Sequence, residues 1–338
     1  MLSLLAALTL SAAPATQDVT LRVGDAAPAL RVEHWIKGEP VPSFERGKVY
    51  VIEFWATWCG PCIAAMPHLS ELQAKYKESG VTIIGMTSED RRNTLEGAQK
   101  MTADKGDGMG YTVAWDRQRE TNTAYMKAAG RGGIPCSFLI DRDGKLAYVG
   151  HPMWLDAPLA GVVAGGWDIE AGNAKLAEVQ AVYGRIRKMD DPEKAIAAIA
   201  KFRTGAPALA HLVEDYDFTF HLRAGKYAAA YKLCAAMVDQ AIAKKDATKL
   251  NGLAWKIVDP RTDYPERDLD LALRAAKASV ELDGGANAAS LDTLARVYFL
   301  RGELQRAIEL QRKAVEVAPE RQKAGMREVL GDYEQAAA

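Results

Sequence analysis

Short apolar runs alternate with a helical pattern in the first half of the chain. VYVIEFW (residues 49–55) and VTIIGMT (81–87) are rich in β-branched residues, as expected of strands that are buried on both faces. The segment between them, CIAAMPHLSELQAKYKESG, places apolar residues at helical spacing and stops at Gly80. This order predicts a β-α-β unit with parallel strands.

Three further segments complete the pattern of this half. YTVAWD (111–116) predicts a strand, and NTAYMKAAG predicts a helix that ends at Gly130. CSFLIDRDGKLAYVG predicts a β-hairpin whose turn is Asp143-Gly144. A parallel half therefore meets an antiparallel half, and we expect an α/β domain with a central mixed sheet flanked by helices.

Helical periodicity replaces the β-branched runs from about residue 170 onward. Residues 288–321 match the spacing of a tetratricopeptide repeat (TPR), except at Gln311, where an apolar or aromatic residue is usual. Two degenerate copies, at 225–230 and 253–282, bring the number of repeats to about three, enough to bury a continuous face. The sequence therefore predicts an all-α TPR-like domain over residues 170–338, with Cys234 in its core.

The N-terminus carries a candidate export signal. The first residues, MLSLLAALTLSAAPA, are apolar and small, too short to span a bilayer, and end in a small-x-small pattern. A basic leader is missing, since the first basic side chain is Arg22, so an ordinary N-terminal segment is the alternative. We predict a signal peptide at residues 1–15 and an exported protein, periplasmic if the source is bacterial.

Composition limits the classes of partner. The chain has 338 residues, 49% of them hydrophobic, which is enough for one large domain or two ordinary ones. The change of pattern favours two, predicted at 16–165 and 170–338. A net charge of -1 and a pI near 6.6 provide no basic surface for nucleic acid. With only 4 cysteines, disulfide bonds cannot be what stabilises a chain of this size, so we expect the cysteines to have local roles.

Cys59 and Cys62 are the candidate reactive pair. Cys59 falls where the first buried strand gives way to a helix, so its sulfur is expected among unpaired N–H groups that favour the thiolate. Cys62, one turn on, can form a disulfide with it. A zinc site would need a second C-x-x-C or an H-x3-5-H, which the sequence lacks, so no metal is expected. A static bridge over so short a loop would stabilise little, which leaves redox exchange.

Three separated motifs carry a family resemblance: WCGPC (58–62), VGDAAPAL (23–30) and Gly-Ile-Pro (133–135). Together they resemble the thioredoxin-like family, more narrowly the TlpA/ResA type of exported thiol-disulfide reductase, over roughly residues 20–165. The resemblance implies a thioredoxin-like fold for this half. It also implies that Cys59 attacks a substrate disulfide and that Cys62 resolves the mixed disulfide.

The resemblance further implies how substrate would dock. In the family a cis-proline lies against the C-x-x-C, and the backbone of the residue before it pairs with an extended substrate chain. Those positions are Pro135 and Ile134 here. The residues implied to bind substrate are Trp58, Gly60, Pro61 and Ile134.

Two further residues near the motif have open interpretations. Glu53 stands where thioredoxins keep a buried acid, and burial would raise its pKa so that it could take the proton from Cys62. Its alternative is an acid that reaches solvent at a strand edge. Cys136, directly after Pro135, is either a small buried strand residue or a third redox-active thiol.

Partners follow from the expected activity. We expect protein thiol and disulfide substrates, an upstream redox partner for which a membrane-bound protein is one option, and no cofactor besides the Cys59–Cys62 disulfide. The TPR-like domain would bind a peptide or protein, or else shield the redox domain or mediate self-association.

Two other functions compete with this one. VGDAAPAL also begins peroxiredoxins, but their P-x-x-x-T/S-x-x-C motif fails because Ile52 and Ala56 occupy its positions before Cys59. The remaining alternative is a TPR scaffold whose redoxin domain is a redox-sensitive docking module.

Overall fold

The computed structural model describes residues 19–338, so the predicted signal peptide at 1–15 lies outside the described residues. The chain divides into two compact units, one that ends at Gln180 and one that begins at Ala181. Among the helices described, none is long and apolar enough to cross a membrane.

A mixed sheet forms the centre of the first unit, in the spatial order β1-β4-β3-β2-β5-β6. Strands β2, β3 and β4 run parallel, whereas β1, β5 and β6 pair antiparallel with their neighbours. The predicted mixed sheet is therefore confirmed, and this unit has a thioredoxin-like fold. Its strands are β1 (Val32–Lys37), β2 (Val49–Phe54), β3 (Val81–Thr87), β4 (Thr112–Asp116), β5 (Cys136–Ile140) and β6 (Leu146–Gly150).

The two faces of the central strand β2 differ in chemistry. Phe54 packs against Phe138 and Tyr125 with ring centroids 5.7 and 6.1 Å away, in an aromatic cluster on one face. Because side chains alternate along a strand, Glu53 points to the opposite face. Glu53 is paired with a residue on each side, Gly85 on β3 and Ser137 on β5.

Helices surround the sheet, and their start points follow from capping residues. The first of them begins directly after Cys59, whose sulfur accepts a hydrogen bond from the helix backbone, and carries Pro61 in its first turn. Where the sequence predicted a helix up to Gly130, the structure has one short α-helical turn followed by a π-helical turn, Thr123–Lys127. The α-helices that begin in this unit are α1 (Gly60–Tyr76), α2 (Leu95–Lys105), α3 (Glu120–Asn122), α4 (Asp156–Val163) and α5 (Ile169–Ile186).

Every regular element described in the second unit is a helix. The predicted repeat at 288–321 coincides with a helical hairpin, while the TPR assignment itself stays a prediction. Cys234 is fully buried in the core, as predicted. The helices are α6 (Pro192–Gly205), α7 (Glu214–Arg223), α8 (Tyr227–Ala243), α9 (Ala247–Val258), α10 (Leu269–Leu282), α11 (Ala288–Leu300), α12 (Leu304–Val317) and α13 (Glu320–Ala337).

The departure from the repeat pattern at Gln311 has a structural counterpart. Gln311 on α12 is fully buried, and its Nε2 donates to Asp292 Oδ1 at 2.8 Å. The same nitrogen donates to the backbone oxygen of Met326 at 3.2 Å. Acceptors on α11 and α13 therefore satisfy the nitrogen of this buried amide, whereas its Oε1 has no hydrogen-bond partner among the described residues.

Candidate active site

The two cysteines of the C-x-x-C motif form a disulfide at the start of α1. Their sulfur atoms are 2.08 Å apart, and both side chains are buried. The backbone N–H of Cys62 points at Cys59 Sγ, 3.2 Å away. In the reduced form this N–H and the positive end of the α1 dipole would stabilise a thiolate on Cys59.

The loop before β5 approaches the same sulfur. The Ile134–Pro135 peptide bond is cis, as the resemblance implied. Cys59 Sγ lies 3.8 Å from the carbonyl oxygen of Ile134. Cys59 and Ile134 thus meet, although they are 75 positions apart in sequence.

Trp58, Gly60 and Pro61 form the exposed rim beside the disulfide. Trp58 is 41% exposed, yet its ring is contacted at its edge and over one face. Its Nε1 donates to Asp90 Oδ2 at 2.8 Å, and the guanidinium carbon of Arg92 lies 4.3 Å from the ring centroid.

Asp90 and Arg92 are site residues that the sequence reasoning missed. They follow β3, the parallel neighbour of β2, so both strands deliver their carboxyl-end loops to the same edge of the sheet. That rule could have found them. Asn93 fastens this loop, since its Oδ1 accepts from the Thr57 backbone N–H at 2.9 Å and its Nδ2 donates to Thr87 Oγ1 at 2.9 Å.

Glu53 is a buried acid at the penultimate position of β2. Its side chain is only 1% exposed, so it does not reach solvent at a strand edge. Burial disfavours the charged carboxylate and raises the pKa of Glu53 to about 8. Near neutral pH this carboxyl is therefore mostly protonated while the disulfide is closed. A modest stabilisation of the charged carboxylate, for example by a hydrogen bond, would ionise it.

Cys136 is a buried residue at the start of β5. It packs with Phe54, its pairing partner, in the aromatic cluster on the other face of the sheet. Burial raises the pKa of its thiol to about 12, so that the reactive thiolate is scarcely populated at neutral pH. The structure favours the packing interpretation over a third redox-active thiol.

Comparisons with known proteins agree with this arrangement. A redoxin family model matches residues 22–153. The thiol-disulfide oxidoreductase ResA of Geobacillus thermodenitrificans is 34% identical over 152 residues, which are 44% of this chain and 82% of that protein. The chain belongs to the ResA-type redoxin family of thiol-disulfide oxidoreductases.

Two further proteins, one curated relative and one solved structure, are similar to this chain. Protein FixW of Rhizobium leguminosarum is 30% identical over 152 residues, 44% of this chain and 69% of FixW. A crystal structure of a thiol:disulfide interchange protein DsbE from Chlorobium tepidum is 31% identical, with a TM-score of 0.36, 42% of this chain covered and 99% of that one. The match to two other ResA proteins, from Bacillus thuringiensis and Bacillus anthracis, covers only 53% of the length of those proteins.

Proposed function

We propose that this redoxin-family protein reduces disulfides of protein substrates outside the cytosol, with the Cys59–Cys62 pair as its redox group and no other cofactor. One observation carries the proposal: Cys59 Sγ lies both at the N-terminus of α1 and 3.8 Å from the carbonyl of Ile134. The first position activates the sulfur as a nucleophile. The second places beside it a backbone acceptor for an extended substrate chain.

The proposed cycle begins with the dithiol form. The Cys59 thiolate attacks one sulfur of the substrate disulfide, which forms a mixed disulfide and releases the other substrate sulfur as a thiolate that takes a proton from solvent. Cys62 then passes its thiol proton to the Glu53 carboxylate and attacks Cys59 Sγ. The second substrate thiolate leaves, two electrons have moved to the substrate, and the Cys59–Cys62 disulfide remains.

Recharging requires a dithiol from an upstream redox partner. Its thiolate attacks the Cys59–Cys62 disulfide, and Cys62 departs as a thiolate that recovers the proton from Glu53. Glu53 therefore shuttles one proton without exchanging it with solvent. Its pKa of about 8 supports this role, because both protonation states are accessible near neutral pH.

The helical unit supports a recruiting role in this proposal. The hairpin formed by α11 and α12 stands where the sequence predicts its best TPR-like repeat. A binding module on the same chain would raise the local concentration of one partner to about the millimolar range. Export rests on the predicted signal peptide at 1–15 and would place the disulfide in a compartment where such substrates persist.

Reduction of insulin with a chemical dithiol tests the catalytic proposal. Wild-type protein should accelerate the precipitation of reduced insulin chains, and Cys59→Ser should reduce the rate to that of the dithiol alone. A wild-type protein without turnover would favour the docking-module alternative. Turnover of a hydroperoxide in place of insulin would favour the peroxidase.

Trapping with Cys62→Ser tests recruitment by the helical unit. We expect the full chain to capture particular proteins from an extract, and a chain that ends at residue 180 to lose those adducts while it still reduces insulin. Identical adducts formed at identical rates would contradict recruitment and favour shielding or self-association.

A further inference from the structure

Polar side chains gather on the sheet face that carries Glu53. Ser137 is the pairing partner of Glu53 on β5, so the two side chains share this face. Trp55 lies two residues after Glu53 and points the same way. Tyr111 comes directly before β4 and approaches Gly85, the partner of Glu53 on β3.

Gly85 is the position over which two of these side chains converge. A Cβ there would lie 2.9 Å from Cε2 of Tyr111 and 3.2 Å from Nε1 of Trp55. Both distances are shorter than ordinary van der Waals contacts, so a larger residue would displace the rings. Because Gly85 is the β3 partner of Glu53, the Tyr111 ring and the Trp55 indole lie against the strand next to this carboxyl, and the charge of Glu53 acts on the Tyr111 hydroxyl.

Each of these four side chains has a buried polar atom without a hydrogen-bond partner among the described residues. The atoms are Glu53 Oε1, Trp55 Nε1, Tyr111 OH and Ser137 Oγ. Unpaired buried polar atoms cost free energy, so four of them around one position need an explanation. Three of the groups can donate a hydrogen bond, and the fourth belongs to the acid.

We propose that Trp55, Tyr111 and Ser137 form a donor cradle that stabilises the ionised carboxylate of Glu53, with Tyr111 as its principal positioning residue. The proposal rests on the role of Glu53 as proton relay. Before Cys62 can give up its proton, Glu53 must be an anion in a site that excludes solvent. A carboxylate that accepts two or three hydrogen bonds ionises more easily than one that is merely buried.

The other titratable groups nearby do not take part in the proton transfer between Cys62 and Glu53. Tyr111 keeps its proton, since burial and the nearby Glu53 charge raise its pKa well above the ordinary value. Cys136 on β5 also stays protonated because burial raises its pKa. Asp116 on β4 accepts hydrogen bonds from backbone N–H groups of the following turn, and β3 carries no titratable side chain.

The experiment is a direct titration of Glu53 by ¹³C NMR in full-length protein with labelled glutamate, the signal being assigned by its loss in Glu53→Gln. Tyr111→Phe removes the donor and keeps the ring. We expect it to raise the Glu53 midpoint by about one pH unit in both the disulfide and the dithiol forms. At pH 7 the step that depends on Cys62 should then slow about tenfold, with its pH profile displaced by the same amount.

Two further variants keep the test decisive. Ser137→Ala should shift the midpoint in the same direction and serves if Tyr111→Phe folds poorly. Tyr125→Phe is the matched control, because its hydroxyl donates to the carbonyl of Pro28 at 2.5 Å and its ring belongs to the cluster on the other face. It should leave the midpoint unchanged.

An unchanged or lowered midpoint in both Tyr111→Phe and Ser137→Ala would overturn the cradle, as would an equal shift in the Tyr125→Phe control. Failure of the relay would look different. If the midpoint moves in Tyr111→Phe but the exchange rate ignores Glu53→Gln, the cradle stands and the proton-relay role of Glu53 fails.

Discussion

The indole nitrogen of Trp58 donates a hydrogen bond to the Asp90 carboxylate at 2.8 Å, so an exposed aromatic ring next to the disulfide has a fixed orientation. The guanidinium of Arg92 lies over the ring at 4.3 Å. An exposed tryptophan without such contacts would sample several rotamers, and ordering it on binding would cost entropy. These contacts would therefore order one wall of the proposed docking surface before substrate binds.

Asp90→Ala should weaken substrate docking and leave the chemistry intact. Release of the Trp58 ring adds about 1 kcal/mol of ordering cost, which corresponds to a roughly fivefold higher KM at nearly unchanged kcat. Steady-state kinetics with a peptide disulfide would measure both constants. Asp104→Ala on α2, which removes only an exposed ion pair with Lys100, is the control. A fall in kcat at constant KM would contradict the docking role.

Substitution of the two active-site cysteines should give opposite trapping results. Since only Cys62 can clear the mixed disulfide on Cys59, Cys62→Ser should accumulate covalent substrate adducts and Cys59→Ser none. Non-reducing gels of protein incubated with insulin would show them. Equal trapping by both variants would contradict the assigned roles.

Glu53→Gln should change how stability depends on pH. The carboxyl has a pKa near 4.5 when the chain is unfolded and about 8 in the folded disulfide form. Because its pKa is raised in the folded state, the stability that Glu53 contributes is fully present below pH 4.5 and is lost as pH rises to about 8. The variant lacks this loss, so it should equal wild type at pH 4 and exceed it at pH 8 by up to about 4 kcal/mol.

Denaturant unfolding of the disulfide form at several pH values would measure this difference. Other titrating groups cancel when the variant is compared with wild type at each pH. A constant difference between pH 4 and pH 8 would show that the Glu53 pKa is not raised in the folded protein.

Gly85→Ala should destabilise the first unit. The added Cβ would lie 2.9 Å from the Tyr111 ring, and the surrounding side chains are buried, so we expect a loss of about 1–3 kcal/mol. Gly108→Ala, where a Cβ meets no atom within 4 Å, is the matched control and should change stability by less than about 1 kcal/mol. Thermal unfolding followed by circular dichroism would distinguish them; equal effects would contradict the close contact at Gly85.

The strands buried on both faces were predictable from sequence, because continuous apolar runs leave little ambiguity. The edge strand β1 was missed, since VEHWIK is half exposed and mixes charged with apolar residues. Helix α2 was missed because it buries only Ala98 and Thr102 and is otherwise polar. Elements at the periphery carry a weak periodic signal, and tertiary pairing decides their structure.

Some residues of the candidate site could be located from the sequence, and others could not. The places of Cys59, Cys62, Glu53 and Pro135 in the fold were predictable because their motifs lie at recognisable places along the strands, while their catalytic roles stay predictions. Asp90 could have been found from its place after β3, at the same sheet edge as the end of β2. Tyr111 could not, since its contact with Gly85 joins segments whose proximity is fixed only when the sheet assembles. No local pattern marks a residue that acts across such a distance.

The buried amide of Gln311 has a consequence for how the end of the chain finds its place. One side chain joins three successive helices, since its nitrogen on α12 meets acceptors on α11 and α13. An apolar residue could pack against a neighbour shifted by one turn, but an amide would lose its acceptors there. We therefore expect α13 to keep a single register on the stack and to resist exchange between two copies of the chain.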